Sequence, residues 1–150
     1  MLPHYITGYI DSPVGKIPHV STIWKKIDVW ETIKVRWSIG RMKYRVDPGL
    51  YAVGEPNEKD NVFVTGNFKL SFDHLRRALD GMNAWILVLD TKGINVWCAA
   101  GKGTFSTKEL VHRINTHEID KIVSHRKVIV PQLGATGVSA HEVKSQSGFS

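Results

Sequence analysis

From residue 61 onward, apolar positions fall in runs whose spacing alternates between a strand period and a helical one. NVFVTG, at 61–66, is a short β-branched and aromatic run closed by glycine, and it reads as a strand. A helix follows at 71–79, with Ser71 as its N-cap, Phe72, Leu75, Ala78 and Leu79 along one face, and Gly81 as its stop. AWILVL, at 84–89, is apolar without interruption, as expected of a strand covered on both faces in a parallel sheet. The stretch 106–117 reads as a second helix capped by Ser106 or Thr107, with Leu110, Val111 and Ile114 facing inward. A third strand is expected at 127–131, a glycine-rich turn at 132–137 and a last helix at 138–146.

Strands and helices alternating in this way predict an α/β fold, with βαβ units around a mainly parallel sheet and flanking helices. Ligands of such sheets bind outside the carboxyl ends of the strands. Thr65, Gly66 and Asn67, then Asp90 to Lys92, then Gln132 to Gly137 are thereby expected on one rim, and an insertion at 93–104 leaves from its middle. Ahead of these elements, VDPGLYAVGEPNEKDN gathers Pro, Gly, Asn and Asp at the density of turns. The chain is therefore divided near Asp47, into an aromatic and basic extension at 1–46 packing on a domain at 47–150. Within 21–44 both a strand and a helical period fit, and periodicity does not choose between them. In either case Trp24, Trp30 and Trp37 are expected to be packing groups.

A chain of 150 residues suits one core, and its longest apolar run of six is far short of the roughly 20 residues that span a bilayer. No secretion signal is visible, and a cytoplasmic setting is expected. The net charge of +6 comes largely from Lys16, Lys25, Lys26, Lys34, Arg36, Arg41, Lys43 and Arg45, a scatter compatible with a solvated face or with an anionic partner. A single cysteine, Cys98, excludes an internal disulfide, a cluster held by cysteines alone and a multi-cysteine zinc site. GINVWCAAGKGTF is not a P-loop, because Val96 stands where its first glycine belongs, nor a dinucleotide fingerprint, because Ser106 stands where the third glycine belongs. It fits a short helix capped by Asn95 and ended by Gly101 or Gly103, which puts Cys98 in the first turn, where backbone N–H groups favour thiolate. A small buried hydrophobe is the other reading of a cysteine beside Trp97, Ala99 and Ala100. His112 and His117 do not face one metal at their spacing, and His125 and His141 stand near expected strand ends.

The octapeptide NVWCAAGK, at 95–102, resembles the signature of the corrinoid protein of the bacterial mercury-methylation pair. More broadly, PGLYAVG, VTGNFKLSFDHLRRAL, WILVLDTKGINVWCAAGKGTF, VSHRKVIVPQLGATGVSAHEVK and SGF resemble the cobalamin-binding domain of the corrinoid iron–sulfur protein of acetyl-CoA synthesis. The resemblance runs over about 41–149. It implies a Rossmann-like domain that binds cobalamin with its own benzimidazole displaced, and a short cap helix that carries the cobalt ligand. Cys98 is then the lower axial ligand of cobalt and the catalytic residue, with Asn95, Val96, Trp97, Ala99, Ala100 and Gly101 as the wall beneath the corrin. Thr65, Gly66, Asn67 and Ser71, with Gln132, Leu133, Gly134, Ala135, Thr136, Gly137 and Val138, match segments expected to contact the corrin or its tail. The D-x-H-x-x-G motif by which other corrinoid proteins supply histidine is absent, since Asp73–His74 has the wrong spacing.

On this resemblance the expected activity is transfer of a methyl group from methylcobalamin to Hg(II), giving methylmercury. Because Hg(II) is an electrophile, the methyl group leaves with its bonding electrons, and a donating thiolate opposite assists that departure. The implied partners are a ferredoxin-type iron–sulfur protein as electron donor, since this chain has no iron–sulfur cluster of its own, and a methyl donor of the folate pathway. The mercury-methylating branch continues into a membrane domain absent from this chain, which implies placement at the cytoplasmic face of the bacterial inner membrane. The alternatives are a corrinoid methyl carrier of the acetyl-CoA pathway type, whose cap helix is expected to lack the cysteine, and, more distantly, a basic nucleic-acid-binding module. Nucleic acid is not expected as a partner.

Overall fold

The computed structural model describes residues 3–30, 45–93 and 103–150. β5 (Ala84–Leu89) organises the rest, because every one of its six residues is buried. Trp85, Leu87 and Leu89 point into one core cluster, whereas Ala84, Ile86 and Val88 point into another on the opposite face. This two-sided burial is what an uninterrupted apolar strand requires. β4 (Val62–Gly66) pairs with β5 in parallel, and β3 (Gly49–Val53) pairs with its other edge antiparallel. The sheet continues through β2 (Gly15–Val20), parallel to β3, to the edge strand β1 (Ile6–Ser12), giving the order β1-β2-β3-β5-β4. Beyond β4, the run 127–131 adds a parallel bridge between Phe63 and Ile129, with Val64 N donating to Ile129 O and Ile129 N to Val62 O, both at 2.8 Å.

The result is an open α/β sheet of Rossmann-like form, mixed in strand direction, with helices on both faces. On one face α1 (Lys69–Ala78) brings Phe72, followed by Leu79 at its C-cap, against Tyr51, Ile86 and Val88. On the other, α2 (Thr107–Thr116), α3 (Ile119–Ile122) and α4 (Ala140–Ser147) contribute Leu110, Ile114, Ile119 and Val143, joined by Phe149. Ser106 caps α2 by accepting from Glu109 N, and Ser139 caps α4 by accepting from Glu142 N. Among the described residues no helix is long and apolar enough to cross a membrane.

Several local expectations need correction. α1 begins at Lys69 with Phe68 at the cap, so Ser71 is an interior residue of the helix and caps nothing. The glycine- and proline-rich stretch after Asp47 is not all turn: GLYAV is β3, buried at every residue, and turn residues on both sides hid a strand of only five. Residues 6–20, for which no element was expected, form a hairpin closed by Pro13 and Val14. Residues 26–30 are helical, and Trp30 is 62% exposed, so it is not a packing group. Trp24 does pack, its Nε1 donating to Asp73 O at 3.0 Å and its ring lying 5.2 Å from that of His74. Trp37 lies outside the described residues.

A buried ionic network ties the segment around Asp28 to α1. Asp28, fully buried, accepts from Lys69 Nζ at 2.9 Å, Arg76 Nη2 at 2.9 Å, His4 Nε2 at 2.7 Å and Lys25 N at 2.7 Å. Asp73 accepts from Lys69 Nζ at 2.7 Å and Arg76 Nε at 2.9 Å. Burial works against the charge of Asp28, but the Lys25 N–H, Lys69 and His4 outweigh it and hold this carboxyl well below the usual range. For Asp73 burial wins over Lys69 and Arg76, and its carboxyl lies above the usual range. The depressed group contributes stability that is complete above its unfolded value, about pH 4, and is lost as pH falls below it. The raised group acts with the opposite sign, and only above that value. Asp28→Asn is therefore expected to flatten the loss of stability below about pH 4, as read from urea midpoints against pH. An unchanged acid limb would remove Asp28 from its cause.

Candidate functional site

At the carboxyl end of β4 the chain opens a groove of about 410 Å³ between α1 and the run that pairs with β4. Phe63, Leu75, Ile129 and Pro131 make it apolar, and Thr65, Ser71 and Gln132 bring polar groups to it. Thr65 is set by the strand end and is only 3% exposed, Ser71 by the third position of α1, and Gln132 by the start of the 3-10 turn Gln132–Gly137. Thr65 and Ser71, six residues apart, are thus joined by the distant Gln132 at the place where ligands of parallel strands bind.

Gly66 and Asn67 do different work. An ideal Cβ on Gly66 would stand 2.7 Å from Thr91 Oγ1, so the glycine lets Thr91 approach the strand end. Asn67 is buried, and its Oδ1 accepts from Thr91 N at 2.9 Å, Thr91 Oγ1 at 3.1 Å and Gly93 N at 2.9 Å. It therefore faces the loop that leaves β5, not the groove. The same loop is fastened by Asp90 N donating to Glu109 Oε2 at 2.6 Å, and by Glu109 pairing with Arg113 at 2.7 Å. Burial works against the charge of the Asp90 carboxyl, but the Lys92 N–H and ammonium, with Arg113, together outweigh it and hold the group below its usual range. Lys92 and Gly93 both take left-handed conformations, and Arg45 lies against Gly93 so closely that a Cβ there would be 2.6 Å from its Nε.

In the 3-10 turn, Gly134 N donates to Pro131 O at 2.9 Å, Gly134 is buried and Ala135 is exposed. Gly137 is half-buried, and Val138, also half-buried, packs on the core. The side chains of Leu133 and Thr136 lie outside the described set. So do Asn95, Val96, Trp97, Cys98, Ala99, Ala100 and Gly101, and with them the expected cap helix.

The histidines resolve into separate roles. His125 Nε2 donates to Asp60 O at 2.7 Å and its Nδ1 accepts from Lys127 N at 3.2 Å, so this ring braces a loop and has no nitrogen left for a ligand. His141 is exposed on α4. His117 borders a second cavity, of about 590 Å³, against β1, β2 and β3, and its Nε2 is buried without a hydrogen-bond partner. Burial, then Arg113 and His112, push its pKa down and keep the ring neutral near pH 7. Sequence patterning gives no signal for that cavity, because six of its fifteen wall residues come from the unexpected hairpin. Among the described residues no group of three or more His, Cys, Asp or Glu is placed to hold a metal ion.

Residues 21–147 match the protein family described as CO dehydrogenase/acetyl-CoA synthase delta subunit. The chain is 34% identical over 121 residues to the acetyl-CoA decarbonylase/synthase complex subunit gamma of Archaeoglobus fulgidus, covering 75% of this chain and 26% of the relative. It is 30% identical over 135 residues to the subunit of the same name from Methanocaldococcus jannaschii, covering 89% and 27%. It is 26% identical over 107 residues to the corrinoid/iron-sulfur protein large subunit of Moorella thermoacetica, covering 70% and 24%. The chain thus spans about a quarter of the length of these curated relatives.

Proposed function

The chain belongs to the family of the CO dehydrogenase/acetyl-CoA synthase delta subunit, and on that premise we propose that it is a corrinoid-binding domain serving as a methyl carrier of the acetyl-CoA decarbonylase/synthase type. The observation that carries the reading is the groove in which Thr65, Ser71 and Gln132 converge at the carboxyl end of β4. Its apolar walls and few polar groups fit a side arm or one edge of a macrocycle, though not a whole corrin. Thr65 and Ser71 supply hydroxyls to that arm, and Gln132, at the start of the turn Gln132–Gly137, an amide at the groove mouth. A corrinoid bound there supplies a cobalt that accepts and hands on a methyl group. In this reading a ferredoxin-type iron–sulfur protein supplies the electrons that restore the reduced cobalt, and a folate-pathway donor supplies the methyl group. In this account the boundary near Asp47 separates an N-terminal extension, 1–46, from the corrinoid domain at 47–150, and the extension contributes β1 and β2 to that domain's sheet.

A second reading is favoured by one specific observation, the cysteine within NVWCAAGK. There Cys98 holds the lower face of cobalt as thiolate, with cobalamin in its benzimidazole-off form, and the acceptor is Hg(II). Placement at the cytoplasmic face of the inner membrane belongs to this reading alone. The relatives named above favour the methyl carrier over it. Hydroxocobalamin titrated into the chain and into Cys98→Ala separates the two. The carrier reading expects uptake with the same visible spectrum in both. Sulfur-ligated bands in the parent that vanish in Cys98→Ala would transfer the assignment to the thiolate and make methylmercury formation the next assay.

A further inference from the structure

We propose that Asn67 is a positioning residue, which acts on the corrinoid by fixing the strand end that carries Thr65 against the loop 90–93. The inference rests on the corrinoid reading above and deepens it. One oxygen atom, Asn67 Oδ1, accepts from two backbone N–H groups, of Thr91 and Gly93, and from the Thr91 hydroxyl. Thr91 Oγ1 in turn accepts from Asn67 N at 3.3 Å, so the two residues bind each other in both directions. Thr91 is completely buried, and Gly66 has no side chain where its hydroxyl and methyl sit. Asn67 itself is fixed from behind, its carbonyl accepting from Val46 N at 2.9 Å.

This clamp joins the ends of two adjacent parallel strands. Asn67 is the first residue after β4, whose Val64 and Thr65 line the groove, and Thr91 to Gly93 follow Asp90 where the chain leaves β5. In sequence that exit leads directly into NVWCAAGK. The side chain therefore fixes the strand end that carries Thr65, a wall residue of the groove, against the loop by which the chain leaves β5. Asn67 Oδ1 already holds three donors and has no capacity left for a ligand, so whatever this oxygen does for the site it does by holding the loop. Groups that orient a ligand shell from behind typically change affinity by roughly 10–100-fold when removed.

The test uses the whole chain and hydroxocobalamin. Asn67→Ala removes the acceptor, Asn67→Asp retains an oxygen able to accept the same bonds, and Thr91→Val removes the hydroxyl alone while leaving both N–H groups. The expected order is a roughly 10–100-fold loss of affinity in Asn67→Ala, a smaller loss in Thr91→Val, and recovery in Asn67→Asp at neutral pH. Hydrogen exchange at the Thr91 and Gly93 amides is expected to quicken in Asn67→Ala while the amides of β5 stay protected. Asn67→Ala that is folded and melts lower but binds with parental affinity would overturn the positioning role and leave a structural one. Absence of uptake by the folded parent would overturn the corrinoid reading and this inference with it.

Discussion

Arg76→Ala is expected to lower the free energy of unfolding by about 3–5 kcal/mol, the range for breaking a buried charge pair by removing one partner. Arg76 is fully buried and serves Asp28 and Asp73 at 2.9 Å each, and Ser21 O at 2.8 Å. Without it two buried carboxylates lose a permanently charged partner that they share, and a backbone carbonyl loses a donor. Arg76→Lys is expected to recover only part of the loss, because an ammonium lacks the planar fork that reaches these acceptors together. The measurement is the urea midpoint at constant slope. A change within about 0.5 kcal/mol, typical of surface sites, would mean that the network contributes little and that the segment around Asp28 is held by other contacts.

Ser71→Trp is expected to weaken cobalamin uptake at least about a hundredfold, some 2.7 kcal/mol, while leaving the fold intact. Ser71 is half-buried on the wall that α1 presents to the groove, facing Thr65 and Gln132 across it. An indole there takes up space that the ligand needs, and the helix position itself tolerates a large side chain because it is not packed in the core. His141→Ala, on the exposed face of α4, serves as the neutral comparison. Unchanged uptake in Ser71→Trp, measured on protein with the parental urea midpoint, would move the corrinoid site away from this groove.

The sequence made some of this architecture readable and concealed the rest for identifiable reasons. β5 and α2 were legible because each is dominated by a single physical demand, burial on two faces for AWILVL and a one-sided stripe with a serine cap for Thr107–Thr116. β3 was hidden because five residues of strand sit between turn formers, so composition outweighed period. The hairpin at 6–20 was missed because its edge strand alternates between half-buried and exposed residues and gives little apolar signal. The rule that ligands bind beyond strand ends put Thr65 and Gln132 on one rim, and both line the groove. It could not show that Asn67, one residue further on, turns inward to hold Thr91 and Gly93, because the direction of a side chain at a strand end depends on its neighbours. Ser71 was expected at the site and also as a cap; it lines the groove, but Lys69 in the first turn is drawn into the ionic network and the helix starts earlier. Cys98 was singled out by its octapeptide, and its role stays with that resemblance.

The central claim, that this chain holds a corrinoid, is tested most directly by mixing it with hydroxocobalamin, removing unbound ligand by gel filtration and reading cobalt per chain. The account predicts retention approaching one cobalt per folded chain, reduced in Ser71→Trp. Colourless protein with an intact cooperative urea transition would contradict it.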